Sequence, residues 1–321
     1  MLTVRILFII LLVSLGGCQQ PFVMESEQLN SPTPPMVSSP VVLASPPQSR
    51  EIATREATVP PPTPLLQPTV ATPVQLGGQI ILSPIPAATA TLQPNDILVG
   101  YSVQGRAITA RRLGNGERVL MLVGGIHGGW EENTVMLLNQ LIAHFESKPQ
   151  AILPGISLVI VPAANPDGLV LGRTEAGRFN ANGVDLNRNW PCDWSAQAFW
   201  RNQTVNAGAQ PFSEPETRAL SAFIQSLMPA TVLFYHSAAG GVYAGECNGD
   251  HGSMLMSQIL GQATGYSFGD AFSAYPVTGT EASWVDGLGI PSADVELFSQ
   301  SDPEFDRNLA GVMALQQWLS Q

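Results

Sequence analysis

Val119-Leu120-Met121-Leu122-Val123-Gly124-Gly125-Ile126-His127-Gly128-Gly129-Trp130-Glu131-Glu132-Asn133 decides the class of fold. Its first five residues are apolar without alternation, the pattern of a strand buried on both faces. Glycines break the run, and beyond them Val135, Leu138, Leu141, Ile142 and Phe145 recur at helical spacing. A histidine and a glutamate are therefore expected in a glycine-rich turn between a buried strand and a helix N-terminus. Open α/β sheets hold ligands there.

Three further apolar runs repeat the pattern. Residues 156–161 end in Pro162-Ala163-Ala164-Asn165-Pro166-Asp167-Gly168, and residues 231–235 end directly in His236-Ser237. The third, Ala293-Asp294-Val295-Glu296-Leu297, sets a carboxylate within an otherwise apolar strand, which is costly unless Glu296 has a purpose. Helical patterns lie between them, notably 214–228 and 306–319. Strands alternating with helices predict an α/β fold with a mostly parallel or mixed central sheet flanked by helices. Ser213 is expected to cap the helix after it, with Glu216 completing a capping box.

The chain has four histidines. His144 and His251 fall on a helix and in a Gly-Asp-His-Gly loop and are expected at the surface, whereas His127 and His236 each end a strand. A hydrolytic zinc site takes three protein ligands, often two His and a Glu, and keeps a fourth position for water. His127, Glu131 and His236 supply that set.

Composition bounds the rest. Residues 19–95 hold 16 of the 27 prolines and one aromatic residue, Phe22, so they bury too little apolar surface to offset chain entropy and are expected to form a disordered stalk. Residues 96–321 remain as one domain with 21 acidic against 11 basic residues, within a chain of formal charge −11. An acidic domain with a single lysine, Lys148, excludes a nucleic-acid partner and a polybasic membrane surface. A monomer is expected. Cys192 and Cys247 are able to pair if the domain is exported.

The ordered motifs resemble the zinc carboxypeptidases of the carboxypeptidase A type over nearly all of residues 97–321. They are His127 with Glu131, Asn165-Pro166-Asp167-Gly168, Gly183-Val184-Asp185-Leu186-Asn187-Arg188-Asn189, Phe212-Ser213-Glu214-Pro215-Glu216-Thr217, His236-Ser237, Tyr275-Pro276-Val277-Thr278-Gly279-Thr280 and Glu296. The resemblance implies a single α/β catalytic domain holding one zinc through His127, Glu131 and His236. It implies Asn187 and Arg188 as the grip on a substrate's terminal carboxylate, and Arg178, with Arg173 as the alternative, as the stabiliser of the developing oxyanion. Glu296 becomes the general base, Tyr275 a mobile cover over bound substrate, and Asp185 an orienting residue.

One spacing departs from that family, which usually has two residues between His and Glu where Gly128, Gly129 and Trp130 stand here. Either the glycines let the turn bulge so that Glu131 reaches the metal, or Glu132 takes its place, or no metal binds. Ala282 stands at the usual specificity position, small and uncharged, and Glu281 beside it is read as able to attract a basic group such as a diamino acid side chain. The activity implied is hydrolysis of the C-terminal peptide bond, or a related amide, of peptides or cell-wall stem peptides. The alternatives are an N-acyl amino acid amidohydrolase of the succinylglutamate desuccinylase type and a non-catalytic surface binding module using the same cleft.

The N-terminus carries its own resemblance. Arg5 and the apolar run 6–13 predict a signal peptide over residues 1–17, too short to span a bilayer as a mature helix. Leu15-Gly16-Gly17-Cys18 resembles the lipobox of bacterial lipoproteins, which implies a lipidated Cys18 and an extracytoplasmic domain anchored to a bacterial membrane.

Overall fold

The apolar runs of the sequence lie side by side in the middle of one sheet. The computed structural model describes residues 96–269, 272 and 274–321; the expected signal peptide, Cys18 and the stalk through residue 95 lie outside them. Among the described residues no helix is long and apolar enough to cross a membrane.

The strands are β1 (Asp96–Tyr101), β2 (Ala107–Gly114), β3 (Arg118–Val123), β4 (Ile156–Val161), β5 (Ala198–Trp200), β6 (Gln203–Val205), β7 (Thr231–Ser237), β8 (Gly241–Ala244), β9 (Ser267–Gly269) and β10 (Ser292–Leu297). The helices are α1 (Glu132–Ser147), α2 (Pro166–Leu169), α3 (Pro215–Leu227), α4 (Ser253–Thr264), α5 (Glu281–Asp286) and α6 (Phe305–Leu319). Eight strands form one sheet in the order β1-β2-β4-β3-β7-β10-β8-β9, and β5 and β6 pair separately. The four middle strands, β4, β3, β7 and β10, are parallel. β2 and β8 flank them antiparallel, so the sheet is mixed with a parallel centre.

Strand alternation sorts the core into two layers. β3 sends Leu120 and Leu122 to one face and Val119, Met121 and Val123 to the other, and β7 divides Leu233 and Tyr235 from Val232 and Phe234 in the same way. α1, α4 and α6 cover the first face through side chains such as Leu138, Leu260 and Leu315. α3 and α5 cover the second through Leu220, Ile224 and Val285. Each fully buried side chain of this kind contributes roughly 1.5–3 kcal/mol.

This alternation also places the polar residues. Ala293, Val295 and Leu297 of β10 pack into the first layer, so Asp294 and Glu296 face the second. Glu296 is paired in register with His236 of β7, and Asp294 with Phe234. Three polar side chains thus share one face near the carboxyl ends of neighbouring parallel strands.

The start of α3 corrects the capping expectation. The N-cap is Glu214, and its side chain makes no capping bond. Pro215 fixes the first helical position, where its missing N–H costs nothing, so the cap falls one residue later than Ser213. Ser213 Oγ donates to Glu214 Oε1 at 2.7 Å. Glu216 accepts from the Val103 N–H at 3.0 Å and from Asn180 Nδ2 at 3.1 Å, so it fastens neighbouring loops.

Candidate active site

The chain leaves β3 through a 3-10 turn, Gly128–Glu131. Gly128 has φ +46°, and a Cβ there would stand 2.6 Å from the Gly168 carbonyl carbon and the Gly177 oxygen. One on Gly129 would meet the Gly172 oxygen at 2.4 Å. The His-Gly-Gly sequence therefore serves a backbone-to-backbone contact as well as an unusual dihedral. That contact turns His127 and Glu131 to the same point and brings the loop carrying Arg178 against them.

Three lone-pair donors meet there. His127 Nδ1 lies 2.9 Å from Glu131 Oε1, His236 Nδ1 lies 3.1 Å from Glu131 Oε2, and the two Nδ1 atoms are 3.3 Å apart. All three residues are buried. The edge of a tetrahedron with metal–ligand bonds of about 2.0–2.1 Å is about 3.3 Å, so the set fits zinc. Glu132 points elsewhere: its side chain is 42% exposed and faces Arg173 at 3.4 Å. The same pairing takes Arg173 away from the site.

Each histidine gives its outer nitrogen to a buried carboxylate. His127 Nε2 meets Asp185 Oδ1 at 3.3 Å, and His236 Nε2 meets Glu281 Oε1 at 2.7 Å. Such partners fix ring orientation and raise ligand basicity. Arg178 donates to Asp185 Oδ2 through Nε at 3.0 Å and Nη2 at 2.8 Å. Its Nη1 lies 3.2 Å from His127 Nδ1, and its guanidinium stacks over Trp200 at 4.6 Å. Glu281, buried completely, does not project into the cavity as the basic-group attractor expected of it. The short helix that Thr280 caps turns its first residue inward, toward His236.

The electrostatics follow from this packing. Burial alone would raise the carboxyl of Glu131, yet the adjacent His127 and His236 hold it below its ordinary value. Burial likewise opposes ionised Asp185, and Arg178 and His127 prevail, so it sits well below the carboxylate range. Burial works against a charged His236, but Glu131 and Glu281 push it well above the usual imidazole value. Glu296 is pushed up to about 7, by burial first and then by Glu131. Asp294 is raised well above the carboxylate range, by burial first and then by Glu281.

A cavity of about 750 Å³ opens beside this centre. Glu296 lines it and accepts from the Ala239 N–H at 3.1 Å. Asn187 and Arg188 line it from a 3-10 turn whose N-cap, Asp185, accepts from the Asn187 N–H. Arg188 Nε is fixed on the Phe199 carbonyl at 3.0 Å, while Asn187 Oδ1 is buried with no partner. Tyr275 also lines it, packed against the cluster that holds Ala198 and Trp200, with its ring 4.9 Å from that of Phe272. A disulfide joins Cys192, just past the Arg188 turn, to Cys247. Sequence reasoning had not singled out Asp294, which also lines the cavity. Its spacing of two from Glu296 in a strand was the available signal.

Comparison with known proteins agrees with this geometry. The zinc carboxypeptidase family pattern matches residues 92–246. The chain is 32% identical over 63% of its length to bacteriocin BCN5 of Clostridium perfringens, covering 22% of that protein. It is 29% identical over 58% of its length to zinc carboxypeptidase A 1 of Anopheles gambiae, covering 50% of it. It is 31% identical over half its length to murein peptide amidase A of Escherichia coli K12, covering 66% of it. The chain thus spans from about a fifth to just under two thirds of these relatives. Murein-tripeptide amidase from Escherichia coli O157 shares the fold with TM-score 0.55 at 23% identity, over 71% of this chain and 94% of that one. Bovine thrombin-activatable fibrinolysis inhibitor does so with TM-score 0.60 at 18% identity, over 70% and 90%. The family pattern begins before β1 and runs through His127, Glu131 and His236, and the neighbours share the fold; residues 92–246 thus carry the zinc carboxypeptidase family's pattern.

Proposed function

We propose that the chain is a zinc-dependent carboxypeptidase, one zinc per chain, that hydrolyses the C-terminal peptide bond, or a related amide, of peptides or cell-wall stem peptides. The observation that carries this is the meeting, in one cavity, of the His127, Glu131 and His236 ligand set, the raised carboxylate of Glu296 and the Asn187-Arg188 turn. The murein peptide amidases among the relatives favour the cell-wall branch.

Zinc held by these three residues supplies Lewis acidity and lowers the pKa of water to about 7. Glu296 takes the proton from the attacking water and returns it to the leaving amine, a task suited to a carboxyl at about 7. Arg178, aligned by Asp185, directs its Nη1 to the region where negative charge develops on the carbonyl oxygen. Arg188 and Asn187 hold the free carboxylate of the residue to be released. Tyr275, at the cavity wall, covers the bound substrate.

The same proposal places the domain outside the cytoplasm, held to a bacterial membrane by lipid on Cys18; a triacylated cysteine buries enough methylenes for stable anchoring. Hydrolysis of matched peptides with free and amidated C-termini tests the activity. Cleavage restricted to the free carboxylate is expected, falling about 100- to 10,000-fold in Glu296→Gln while zinc is retained. Equal cleavage of the amidated peptide, or near-normal turnover in Glu296→Gln, contradicts it. An N-acyl amino acid panel separates this reading from the amidohydrolase alternative.

A further inference from the structure

A third apolar cluster stands apart from the two layers that cover the sheet. Ala198, Trp200, Val205 and Ala207 form it, and Trp130, Phe179, Trp194 and Tyr275 pack against it. It is centred on the β5–β6 hairpin, in which Ala198 pairs with Val205 and Trp200 with Gln203. Alternation buries Ala198 and Trp200 and leaves Phe199 between them exposed. Two strands of three residues each are not stable alone in water, so packing against the site holds the hairpin in place.

Trp200 is where this hairpin meets the reacting centre. It lines the cavity, and the Arg178 guanidinium lies 4.6 Å from the centre of its ring. Trp130, which stands between His127 and Glu131 in sequence, meets the same ring edge-on at 5.4 Å. The Phe199 carbonyl, one residue earlier, accepts from Arg188 Nε at 3.0 Å.

The contact with Arg178 completes a set of restraints. Asp185 accepts from Nε at 3.0 Å and from Nη2 at 2.8 Å, which leaves Nη1 as the arm aimed at the centre. Hydrogen bonds along one edge fix the direction of the guanidinium plane but let it rock about that edge. The ring face supplies the missing restraint, perpendicular to those bonds. Arg178 is buried, and a cation–π contact away from water is worth a factor of about 30 in an equilibrium.

We propose that Trp200 is a positioning residue for the reaction: its face holds Arg178 so that Nη1 meets the charge that develops on the carbonyl oxygen. The proposal rests on the carboxypeptidase reading for what that reaction is. A preorganised donor lowers the barrier only while it stays aimed, so losing the face weakens transition-state stabilisation more than substrate binding.

The test compares Trp200→Leu, which keeps an apolar side chain in the cluster, with Trp200→Phe, which keeps a π face as well. In the full zinc-loaded chain, Trp200→Leu is expected to lower kcat about 10- to 100-fold on a carboxylate-ended peptide, with KM changed less than about threefold and zinc retained. Trp200→Phe should restore most of the rate. Trp200→Leu combined with Arg178→Ala should cost nothing beyond Arg178→Ala alone, because the ring acts through that guanidinium. Arg201 is the contrast, since its guanidinium lies 5.4 Å from the same ring. Arg201→Ala should combine additively with Trp200→Leu.

A second readout needs no turnover. Nitrogen NMR of the arginine side chains should show slow rotation of the Arg178 guanidinium in wild type and Trp200→Phe, and fast rotation in Trp200→Leu. If no peptide is cleaved while that contrast holds, the carboxypeptidase reading fails and the restraint on Arg178 stands. Equal losses in Trp200→Leu and Trp200→Phe would overturn the proposal, as would losses that add to those of Arg178→Ala. A raised KM at unchanged kcat would make Trp200 a support for Arg188 instead, and zinc lost from both variants would place its role at the metal turn; either result contradicts it. Denaturant titration identifies the folded variants, and Trp200→Met takes the place of Trp200→Leu if the latter does not fold.

Discussion

The two histidines at the centre are held by opposite strategies. Asp185, behind His127, is a hub: one carboxylate orients the imidazole, takes two guanidinium bonds from Arg178 and caps the turn that carries Asn187 and Arg188. Glu281, behind His236, serves that ring alone and leaves Oε2 without a partner. One side of the site is a connected network, and damage to it spreads. The other side is a single strut, so damage to it should stay local.

Asp185→Asn is the sharpest way to break this comparison. It removes the countercharge of buried Arg178 and the anchor of His127 together. Zinc affinity should fall about 10- to 100-fold, kcat/KM about a thousandfold, and stability about 3–5 kcal/mol. Metal titration, kinetics and urea unfolding of one preparation measure all three. A variant that lost only zinc affinity would show that Asp185 is no hub.

Next is the covalent link between the two sides. Cys192 and Cys247 are 55 residues apart in sequence, and the Cys192 carbonyl accepts from the Gly279 N–H just before Glu281. Closing a loop of that length contributes about 4 kcal/mol by the chain-entropy estimate. The Cys192→Ser, Cys247→Ser double variant should be destabilised by that order in denaturant titrations.

Glu281→Gln should be milder than Asp185→Asn. Zinc affinity is expected to drop about tenfold, with KM for a carboxylate-ended peptide nearly unchanged, because Arg188 does not depend on Glu281. A large rise in KM would merge the two sides into one network.

The smallest effect is on acid stability. The folded state holds Asp185 well below the carboxylate range. Its contribution is therefore full above about pH 4, the unfolded value, and is lost as pH falls through the folded one. In Asp185→Asn the loss of stability below about pH 4 should be shallower than in wild type. Parallel acid limbs in wild type and Asp185→Asn would remove Asp185 from the acid response.

What could be read in the sequence was whatever ends or interrupts a buried strand. His127, His236 and Glu296 each break an apolar run, and the sheet brings them together. The choice between Glu131 and Glu132 was not legible, because it depends on how Gly128 and Gly129 press against the backbone of Gly168, Gly172 and Gly177, residues that are distant in sequence. Glu281 was misread because the inward side of a six-residue helix is set by packing against β10 and not by periodicity. The outer strands β1, β2, β8 and β9 escaped notice because each is short or mixed in polarity, unlike the runs at the parallel centre.

Metal analysis of the full chain, with Glu131→Ala and Glu132→Ala beside it, tests the central claim most directly. The account predicts one zinc per chain in wild type and in Glu132→Ala, and strong loss in Glu131→Ala. A folded wild type that takes up no zinc on reconstitution would contradict it, as would zinc lost on replacing Glu132 and kept on replacing Glu131.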